Sequence, residues 1–489
     1  MTNRKRLGSL NKETTKGGKT VETVCVFIEN TCLKVPKGTS LANALRENGF
    51  SLDLPCGGTG KCGKCHVNLQ EIGEVLACQY NVTKDIHVLS LPKSDTIVTP
   101  ETKAAKDEIP AGEADLAIDI GTTTVALALV EPIKRTILYR KAFDNPQKAF
   151  GADVISRISY GTQHGGAELQ RVLLDALKKE IEPLTAAGAQ IQKIYVSGNT
   201  TMLHLFLGAD CSTLGTAPYT PQFLKAQTVP AQSLGLPGET VTTLPCISTF
   251  VGADVLAGLL LCNFPKAGKY NLLIDLGTNA EVALFNETRV LCTATAAGPC
   301  FEGANISCGM PASNGAITHY VYPYGPTFLG EKPTGICGTG LVDIVSELFI
   351  HGIVDETGAM EEEAFPVAPG VEVTAADIRQ FQLAKSAVRA GTQQLLELAG
   401  ISEADVETVY LSGGFSAFLN VQSACKTGLI NPKFLKKCVW LGNSSLEGCA
   451  VYKNEAARAE EIVSHADYID LAKDAGFSEK FMRYMYFGK

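Results

Sequence analysis

The sequence predicts a small α+β domain near the amino terminus, followed by a larger α/β domain built from two similar lobes. The first prediction rests on short alternating strands around a glycine-rich loop with four cysteines. The second rests on an internal duplication. The run ADLAIDIGTTTVALALV at 114–130 is matched by YNLLIDLGTNAEVALF at 270–285, and IQKIYVSGNTTM at 191–202 by VETVYLSGGFSA at 406–417. Each copy has an apolar strand, a D-x-G-T turn, a second strand and a later strand that ends in Ser-Gly.

Composition limits the classes of function. The chain has 489 residues, 45% of them hydrophobic, which allows several domains with buried cores. A net charge of −8 argues against a nucleic acid or an anionic membrane as partner. The longest apolar run is too short to span a bilayer, and no secretory segment is predicted. The 16 cysteines therefore predict a reducing cytoplasm, with those outside the cysteine loop, including Cys25 and Cys32, as buried free thiols.

The predicted organisation follows the chain in order. Residues 1–21 are basic and polar, and we expect a disordered tail. Residues 22–91 form the first domain: two strands around a tight turn, a short helix capped by Thr39 or Ser40, the cysteine loop and further strands. Residues 92–114 are polar and proline-marked, as is typical of a linker. The second domain covers 115–489, with lobe one at about 115–268, lobe two at about 269–455 and a carboxy-terminal segment at 456–489.

The cysteine loop is a predicted metal site. Cys56, Cys62, Cys65 and Cys78 follow the spacing C-x5-C-x2-C-x12-C. Four thiolates are the usual ligand set of a [2Fe–2S] cluster, and the loop glycines allow backbone N–H groups to face the cluster sulfurs. A structural zinc ion is the competing interpretation, although zinc ribbons usually pair two C-x2-C knuckles and only one is present. The order of elements is that of a β-grasp ferredoxin.

The two D-x-G-T turns predict a phosphate site between the lobes. A strand–turn–strand with glycine at the bend exposes consecutive backbone N–H groups that can bind phosphate oxygens. The hydroxyls of Thr122, Thr123 and Thr278 can add hydrogen bonds. Asp119 and Asp275, each at a strand end, offer oxygens to Mg²⁺, with water between. A lysine or arginine is also expected to neutralise phosphate charge, but the sequence does not indicate which one.

Residues 114–455 resemble the actin-like ATPase superfamily of acetate and sugar kinases, heat-shock chaperones and actin, which have ribonuclease H-like lobes. The resemblance implies that ATP binds between the lobes. It makes Gly121–Thr123 and Gly277–Asn279 phosphate loops, and LSGGFSAF an adenosine loop. The residues that it assigns to ATP binding are Gly121, Thr122, Thr123, Gly277, Thr278, Asn279, Gly338, Gly413, Gly414 and Phe415.

The same resemblance suggests a catalytic carboxylate. FVGADVLAG at 250–258 and GICGTGLVDIV at 335–345 resemble the two connecting helices that cross near the cleft floor. Asp254 lies where this superfamily often carries the carboxylate that orients or deprotonates the nucleophile. The alternative is an aspartate that only satisfies free N–H groups at a helix start. Glu281, after the second loop, is a further candidate for the metal site, beside Asp119 and Asp275.

Nearly all of residues 22–489 resembles the ATP-dependent reductive activators of corrinoid proteins. The runs that carry the resemblance are DIGTTTVAL, VSGNTTMLHL, VGADVLAG, GPCFEGANISCGM, GICGTGLVD and YLSGGFSAFLN. It implies one-electron transfer from a [2Fe–2S] cluster to Co(II), giving Co(I), with ATP and Mg²⁺. The implied partners are the corrinoid protein of a methyltransferase or demethylase system and a low-potential electron donor, and a homodimer is possible. Larger relatives carry a linker and a middle domain, for which only 92–114 leaves room here.

Other functions remain open from the sequence. The chain could supply low-potential electrons to a different enzyme, such as a radical dehydratase. It could be a small-molecule kinase with a redox-sensing ferredoxin domain, which would need an acceptor pocket with polar groups. It could also be a nucleotide-switched scaffold in which the cluster is only structural.

Overall fold

The structure, a computed structural model, describes residues 12–14, 20–28, 31–48, 50, 52, 60, 65–90, 109–277, 279–414 and 419–488. Its contacts divide the chain into two units, residues 1–95 with 146–163 and residues 96–145 with 164–489. Most of the predicted linker, up to residue 108, lies outside the described residues. Within the described part of the chain, no helix is both long and apolar enough to cross a membrane.

The first unit is built around one six-stranded sheet. Its strands are β1 Lys12–Thr14, β2 Thr20–Ile28, β3 Thr31–Pro36, β4 His66–Leu69, β5 Gly73–Leu76 and β6 Ile86–Ser90. Its helices are α1 Leu41–Glu47 and α2 Val154–His164, with a 3₁₀ turn at Pro146–Ala149. The strand order is β1-β2-β6-β4-β5, with β3 paired to β2. The sheet buries alternate side chains such as Val26, Leu69 and Ile86 against Leu41 and Leu45 of α1.

The predicted order of strand, strand, helix and further strands in this unit is confirmed. Ser40 Oγ accepts a hydrogen bond from the Asn43 N–H at 3.3 Å, so Ser40 caps α1. The predicted disordered tail differs from the structure at Lys12–Thr14, which pairs antiparallel with Thr20–Glu22. Strand β2 begins at Thr20, and the backbone groups along its edge there pair with those of Lys12–Thr14.

Two of the cysteines expected to be buried free thiols form a disulfide. Cys25 and Cys32 are bonded across the β2–β3 hairpin, with their Cα atoms 5.6 Å apart. Cys32 is exposed rather than buried, because it lies on the solvent side of an edge strand. The expectation is therefore wrong for this pair. It is confirmed for Cys211, Cys246, Cys262, Cys292, Cys300, Cys337, Cys425 and Cys449, which are free and buried.

The first lobe of the second unit has a six-stranded sheet in the order β11-β12-β10-β7-β8-β9. Its strands are β7 Gly112–Ile120, β8 Thr124–Val130, β9 Ile137–Asp144, β10 Ala189–Gly198, β11 Gln227–Pro230 and β12 Thr240–Thr243. Its helices are α3 Ala167–Ala186, α4 Thr200–Leu207 and α5 Ala253–Leu260. Strand β7 is almost wholly buried because helices cover the sheet.

The second lobe repeats this plan. Its main sheet has the order β22-β21-β13-β14-β15-β23. The main-sheet strands are β13 Tyr270–Leu276, β14 Ala280–Asn286, β15 Arg289–Thr295, β21 Val406–Ser412, β22 Cys438–Gly442 and β23 Ala466–Tyr468. Two small sheets contain β16 Ala316–Val321, β17 Gly325–Phe328 and β18 Gly335–Ile336, and β19 Ala364–Ala368 with β20 Val371–Thr374. The helices are α6 Gly338–Ile350, α7 Ala375–Leu398, α8 Val421–Thr427, α9 Ser444–Ser464 and α10 Ala475–Tyr484.

The two main sheets share one topology, which confirms the predicted duplication and fold class. In each, three antiparallel strands follow one another (β7-β8-β9 and β13-β14-β15). A later strand pairs parallel to the first of the three, β10 with β7 and β21 with β13. The registers place Ser197 opposite Asp119 and Ser412 opposite Asp275. The D-x-G-T and Ser-Gly ends of each lobe therefore meet at one edge of its sheet.

The helix that crosses α5 is α9, not the segment 335–345. A Cβ at Gly448 of α9 would lie 2.0 Å from the Ala257 carbonyl oxygen of α5, so the two backbones are in close contact. Residues 335–345 contribute β18 and the start of α6, which packs against β16 and α8 inside the second lobe. The prediction of this segment as a connecting helix is therefore wrong. Its glycines serve close packing on β16 instead, because a Cβ at Gly340 would lie 2.1 Å from the Ile317 carbonyl oxygen.

The carboxy-terminal segment packs on α7 of the second lobe. Ser386 Oγ donates to the Phe481 carbonyl oxygen, and Lys385 Nζ donates to that of Tyr486 at 2.8 Å. Phe487 is 1% exposed within the lobe's core. The predicted boundary at 455/456 lies inside α9, since that helix continues to Ser464.

Candidate nucleotide cleft and cluster loop

Two asparagine side chains hold the first predicted phosphate loop, between β7 and β8. Asn145 Nδ2 donates to the Gly121 carbonyl oxygen at 2.8 Å, and Asn199 Nδ2 donates to Thr122 Oγ1 at 3.2 Å. Asn199 also caps α4. A Cβ at Gly121 would lie 2.6 Å from the Thr124 carbonyl oxygen, so this turn requires glycine. The loop is therefore a supported turn at the end of a buried strand.

The second predicted phosphate loop, between β13 and β14, packs against the end of β21. The Gly277 N–H donates to the Asn279 carbonyl oxygen at 3.1 Å. Gly413 has a φ of +96°, and a Cβ there would lie 2.3 Å from the Leu276 carbonyl oxygen and 2.8 Å from Asp275 Oδ1. Only glycine fits this position. The first glycine of the predicted adenosine loop thus contacts the strand end that leads into the second loop.

Asp119 is held by the first turn of α9. Ser445 Oγ donates to Asp119 Oδ1 at 2.7 Å, and Asn443 Nδ2 donates to Oδ2 at 3.2 Å. Asn443 Oδ1 accepts from the Leu446 N–H at 3.0 Å, so the same side chain caps α9. The orientation of this carboxylate therefore depends on where α9 begins.

Three further carboxylates share the cleft. Asp254 lies in the first turn of α5, where its Oδ1 accepts from the Val255 N–H at 2.9 Å. Burial, with Asp275 and Asp119 nearby, raises the pKa of Asp254 to about 7. Burial also raises the pKa of Asp275, and burial with Asp254 and Asp275 raises that of Glu281 well above its usual value. Carboxylates that oppose one another's ionisation fit a site for a divalent cation, whose charge would relieve the repulsion.

The cleft lining is acidic. It includes Asp119, Asp254, Asp275, Glu281 and Glu302. Among the described residues that line it, there is no lysine, arginine or histidine, so the expected basic side chain is not found there. Nor do the described residues contain three acidic, histidine or cysteine side chains placed to ligate one ion together, and Mg²⁺ bound through water remains a prediction. The negative charge of a bound triphosphate would therefore be balanced by metal ions and backbone N–H groups.

The structure brings most of the predicted site residues into this one cleft. Those that line it are Asp119, Gly121, Thr122, Thr123, Asp254, Asp275, Gly277, Asn279, Glu281, Gly338, Gly413 and Gly414. Thr278 and Phe415 lie outside the described residues. Sequence reasoning missed several lining residues, namely Asn199, Glu302, Thr339, Asn443, Ser444 and Ser445. The sequence does show a helix-capping pattern at Asn199 and Asn443, each just after a strand, but that pattern indicates only where a helix begins.

The described part of the cysteine loop brings two thiols together. Cys65 Sγ and Cys78 Sγ are 3.3 Å apart, about 0.5 Å less than the ~3.8 Å between two ligands on a tetrahedral metal with bonds of about 2.3 Å. Gln79 Nε2 donates to Cys78 Sγ at 3.6 Å, as befits a thiolate ligand. Cys56 and Cys62 lie outside the described residues. The two placed thiols fit a shared metal centre.

Family models match almost the whole chain. The 2Fe-2S iron-sulfur cluster binding domain matches residues 26–83, the RACo middle region 114–267, and the C-terminal domain of RACo, the ASKHA domain, 269–489. The corrinoid activation enzyme RamQ of Eubacterium limosum is 30% identical, over 90% of this chain and 95% of that protein. This chain belongs to the family of reductive activators of corrinoid proteins.

Two further relatives of this activator match most of its length. The reductase of a Co(II) methylated-amine-specific corrinoid protein from Methanosarcina barkeri is 25% identical, over 75% of this chain and 76% of that protein. A solved structure, a reductive activator for a corrinoid, iron–sulfur protein, aligns with a TM-score of 0.69 and 26% identity. That alignment covers 95% of this activator and 98% of the other chain.

The matches define the parts of the activator. Its amino-terminal unit carries a [2Fe–2S]-binding domain whose match includes all four loop cysteines. The larger unit ends in an ASKHA ATPase domain. The middle-region match at 114–267 falls on the first lobe. The expectation that only 92–114 leaves room for the middle domain of larger relatives is therefore wrong, because the middle region is itself one of the two duplicated lobes.

Proposed function

We propose that this activator returns a corrinoid protein from Co(II) to Co(I) by one-electron transfer, and that the reaction requires ATP and Mg²⁺. The observation that carries the proposal is the combination, in one chain, of a [2Fe–2S] domain with a two-lobed acidic cleft. A protein named as a corrinoid activation enzyme matches 90% of this chain, and one named as a corrinoid-protein reductase matches 75% of it. When bound, the cluster supplies one electron, which is the whole change from Co(II) to Co(I).

In the proposal, the chain binds ATP·Mg²⁺ between the lobes. The backbone N–H groups of the two D-x-G-T turns face the phosphates, and Asp119 and Asp275 hold the hydrated metal ion. Asp254 is the candidate to orient or deprotonate the attacking water, because it lines the same cleft as both phosphate loops and begins α5 there. Glu281 adds negative charge to the metal site.

The need for ATP follows from the energetics of the electron transfer. A plant-type [2Fe–2S] centre lies near −400 mV, and the Co(II)/Co(I) couple is expected to lie lower. For one electron, each ~59 mV of uphill gap corresponds to ~1.4 kcal/mol. ATP changes this balance only if it binds or is hydrolysed differently in two conformations. Movement of one lobe against the other supplies such a pair of states, and we expect ATP to favour the state docked on the corrinoid protein.

The proposal places the activator in a cytoplasmic methyltransferase or demethylase system. Its partners there are the corrinoid protein and a low-potential electron donor, and a second copy of the chain is possible. The kinase alternative receives little support from the cleft. Several lining residues away from the loops are small or apolar, namely Ala126, Ala142, Met310 and Ala312. They do not resemble a polar site for a phosphoryl acceptor.

An anaerobic mixing experiment tests the proposal. The cluster-loaded protein is combined with a Co(II) corrinoid protein and a low-potential reductant, and the cobalt absorbance is followed with and without ATP·Mg²⁺. We expect Co(I), or its methylated product, only when ATP·Mg²⁺ is present. The variant Asp119→Asn should abolish this dependence and leave the cluster spectrum unchanged. Equal Co(I) formation without nucleotide, or none with several corrinoid partners, would reject the proposal.

A further inference from the structure

A hydrogen bond crosses the cleft between the two lobes. Thr123, in the first phosphate loop, donates through Oγ1 to Glu302 Oε2 at 2.7 Å, although 179 positions separate the residues. Both side chains line the cleft. Glu302 comes from the run GPCFEGANISCGM, and neither the phosphate loops nor the metal site described above uses it.

Glu302 is held in place by a rigid turn. It ends a 3₁₀ turn at Pro299–Glu302, and the flanking Gly298 and Gly303 have φ values of +77° and +78°. A Cβ at Gly303 would lie 2.2 Å from the Met310 carbonyl oxygen, so the turn packs closely against that backbone and requires glycine there. The preceding Phe301 is 1% exposed. These restraints fix the position from which the carboxylate reaches the cleft.

The position of Phe301 anchors this turn to the long helix α7. Its ring stands edge-on to that of Phe381, with the centroids 6.1 Å apart and an angle of 89° between the planes. Aromatic pairs of this kind are favourable beyond their buried area. Glu302 therefore lies on a turn that is fixed to the lobe by the buried Phe301, and we expect its backbone to stay in place.

The hydrogen bond occupies a group that phosphate binding needs. The Thr123 hydroxyl has one hydrogen to donate, and Glu302 receives it. A phosphate oxygen bound at this loop would require the same hydrogen. The carboxylate of Glu302 and the phosphate would then face each other in a cleft whose described lining holds four other carboxylates and no basic side chain. Like charges this close repel.

We propose that Glu302 is a positioning residue that lowers the affinity of the cleft for ATP·Mg²⁺ by holding the Thr123 hydroxyl and tying the lobes together in the nucleotide-free protein. Nucleotide binding transfers the hydroxyl to a phosphate oxygen and releases Glu302, so that the lobes can change their arrangement. This inference rests on the proposed function for the identity of the nucleotide. The tie between the lobes rests on the observed hydrogen bond alone.

Calorimetric titration of the cluster-loaded full chain with ATP·Mg²⁺ tests the effect on affinity. Glu302→Ala should bind about tenfold more tightly than wild type, the order expected for release of a hydrogen bond to a charged group. Glu302→Gln, which keeps an acceptor but removes the charge, should show a smaller gain. Glu331→Ala is the matched control, because Glu331 is an exposed glutamate that does not line the cleft. If Glu302 only stabilised the fold of the cleft, its removal would weaken nucleotide binding. Weaker binding by Glu302→Ala therefore overturns the proposal.

A second measurement needs no nucleotide. Hydrogen–deuterium exchange of the nucleotide-free protein should become faster at the amides of 121–125 in Glu302→Ala, although these residues lie in the other lobe. Unchanged exchange there overturns the tie between the lobes. Unchanged affinity with slower ATP turnover would make Glu302 a catalytic residue and would also overturn the proposal. Failure of the wild type to bind ATP·Mg²⁺ would instead count against the proposed function, and the exchange measurement would still decide the tie.

Discussion

Ser445 Oγ donates to Asp119 Oδ1 at 2.7 Å, although 326 positions of sequence separate the two residues. Asp275, the equivalent aspartate of the second lobe, accepts its hydrogen bond from a serine of its own sheet. There, Ser412 Oγ donates directly to Asp275 Oδ2 at 2.8 Å. In the first lobe, the corresponding Ser197 Oγ lies 2.9 Å from Ser445 Oγ instead. Helix α9 therefore inserts one side chain between the aspartate and its strand partner. The duplicated lobes differ at the point where the proposed metal ligand is oriented.

The first prediction concerns this inserted serine. Ser445→Ala removes the hydrogen bond to Asp119 Oδ1 and should lower kcat/KM for ATP hydrolysis about tenfold, because the carboxylate loses a charge-assisted partner. The measurement is steady-state ATPase activity of the cluster-loaded protein. Ser464→Ala, at the exposed far end of the same helix, is the control and should match wild type. Wild-type activity in Ser445→Ala would show that Asp119 needs no such support.

The second prediction is a pH dependence of stability that arises at Asp254. Its pKa is raised from 3.8 to about 7 in the folded protein, so the folded state keeps a proton that the unfolded state releases between these values. Stability present below about pH 4 is therefore lost as the pH rises to about 7. Asp254→Asn cannot ionise and escapes this loss. Without metal or nucleotide, the Tm of the variant relative to that of wild type should rise across this range by on the order of 5 °C.

Thermal denaturation at several pH values measures this difference. Addition of Mg²⁺ is the internal control, because a cation beside Asp254, Asp275 and Glu281 lowers their pKa values and should reduce the variant's advantage. A difference in Tm that stays constant from acid to neutral pH would show that Asp254 is not desolvated in the nucleotide-free cleft.

The parts of the structure that could be predicted from sequence are those with a local or repeated signal. The two D-x-G-T turns and the two Ser-Gly strand ends recur in order, and the sheet topology follows because a parallel strand must return beside the first. Asp119 and Asp275 could be placed in one cleft on this basis alone. The cap of α1 at Ser40 was also predictable, since capping depends on a few adjacent residues.

The parts that could not be predicted depend on contacts between distant segments. Nothing local in LGNSSLEG indicates that Asn443 and Ser445 reach Asp119, since a capping asparagine alone explains the pattern. The crossing of α9 over α5 depends on the absence of a Cβ at Gly448, and the sequence does not indicate which distant backbone that glycine contacts. Glu302 has no periodic or repeated partner either. Its role appears only when the fold brings it to Thr123.

The third prediction separates cluster binding from nucleotide binding. Cys78→Ser removes a thiol that lies 3.3 Å from Cys65 Sγ, and should abolish the visible absorption and iron content of the reconstituted cluster. The Kd for ATP·Mg²⁺ should stay within twofold of wild type, about 0.4 kcal/mol, because described residues of the other unit line the cleft. Cys32→Ser is the matched control: it removes the exposed half of the disulfide and should retain the cluster. Loss of iron in both variants would contradict the assignment of ligands.

The last prediction concerns the crossing of the two helices. A Cβ at Gly448 would lie 2.0 Å from the Ala257 carbonyl oxygen and 2.4 Å from its carbonyl carbon, and neither backbone atom can move aside without moving a helix. Gly448→Ala should therefore destabilise the larger unit by about 1–3 kcal/mol, the usual cost of overpacking a core. It should also weaken binding of ATP·Mg²⁺, because Asn443 and Ser445, which orient Asp119, lie on the first turn of the displaced helix.

Thermal denaturation and calorimetric titration of the same samples measure both effects. Gly166→Ala is the control, because no atom lies within 4 Å of a Cβ at that position and its backbone has no positive φ. Its stability should remain within about 0.5 kcal/mol of wild type. A lower Tm with unchanged affinity would mean that the start of α9 holds Asp119 independently of the crossing. An unchanged Tm would mean that the helices are not in contact there, which would remove the physical basis for choosing α9 over 335–345 as the second crossing helix.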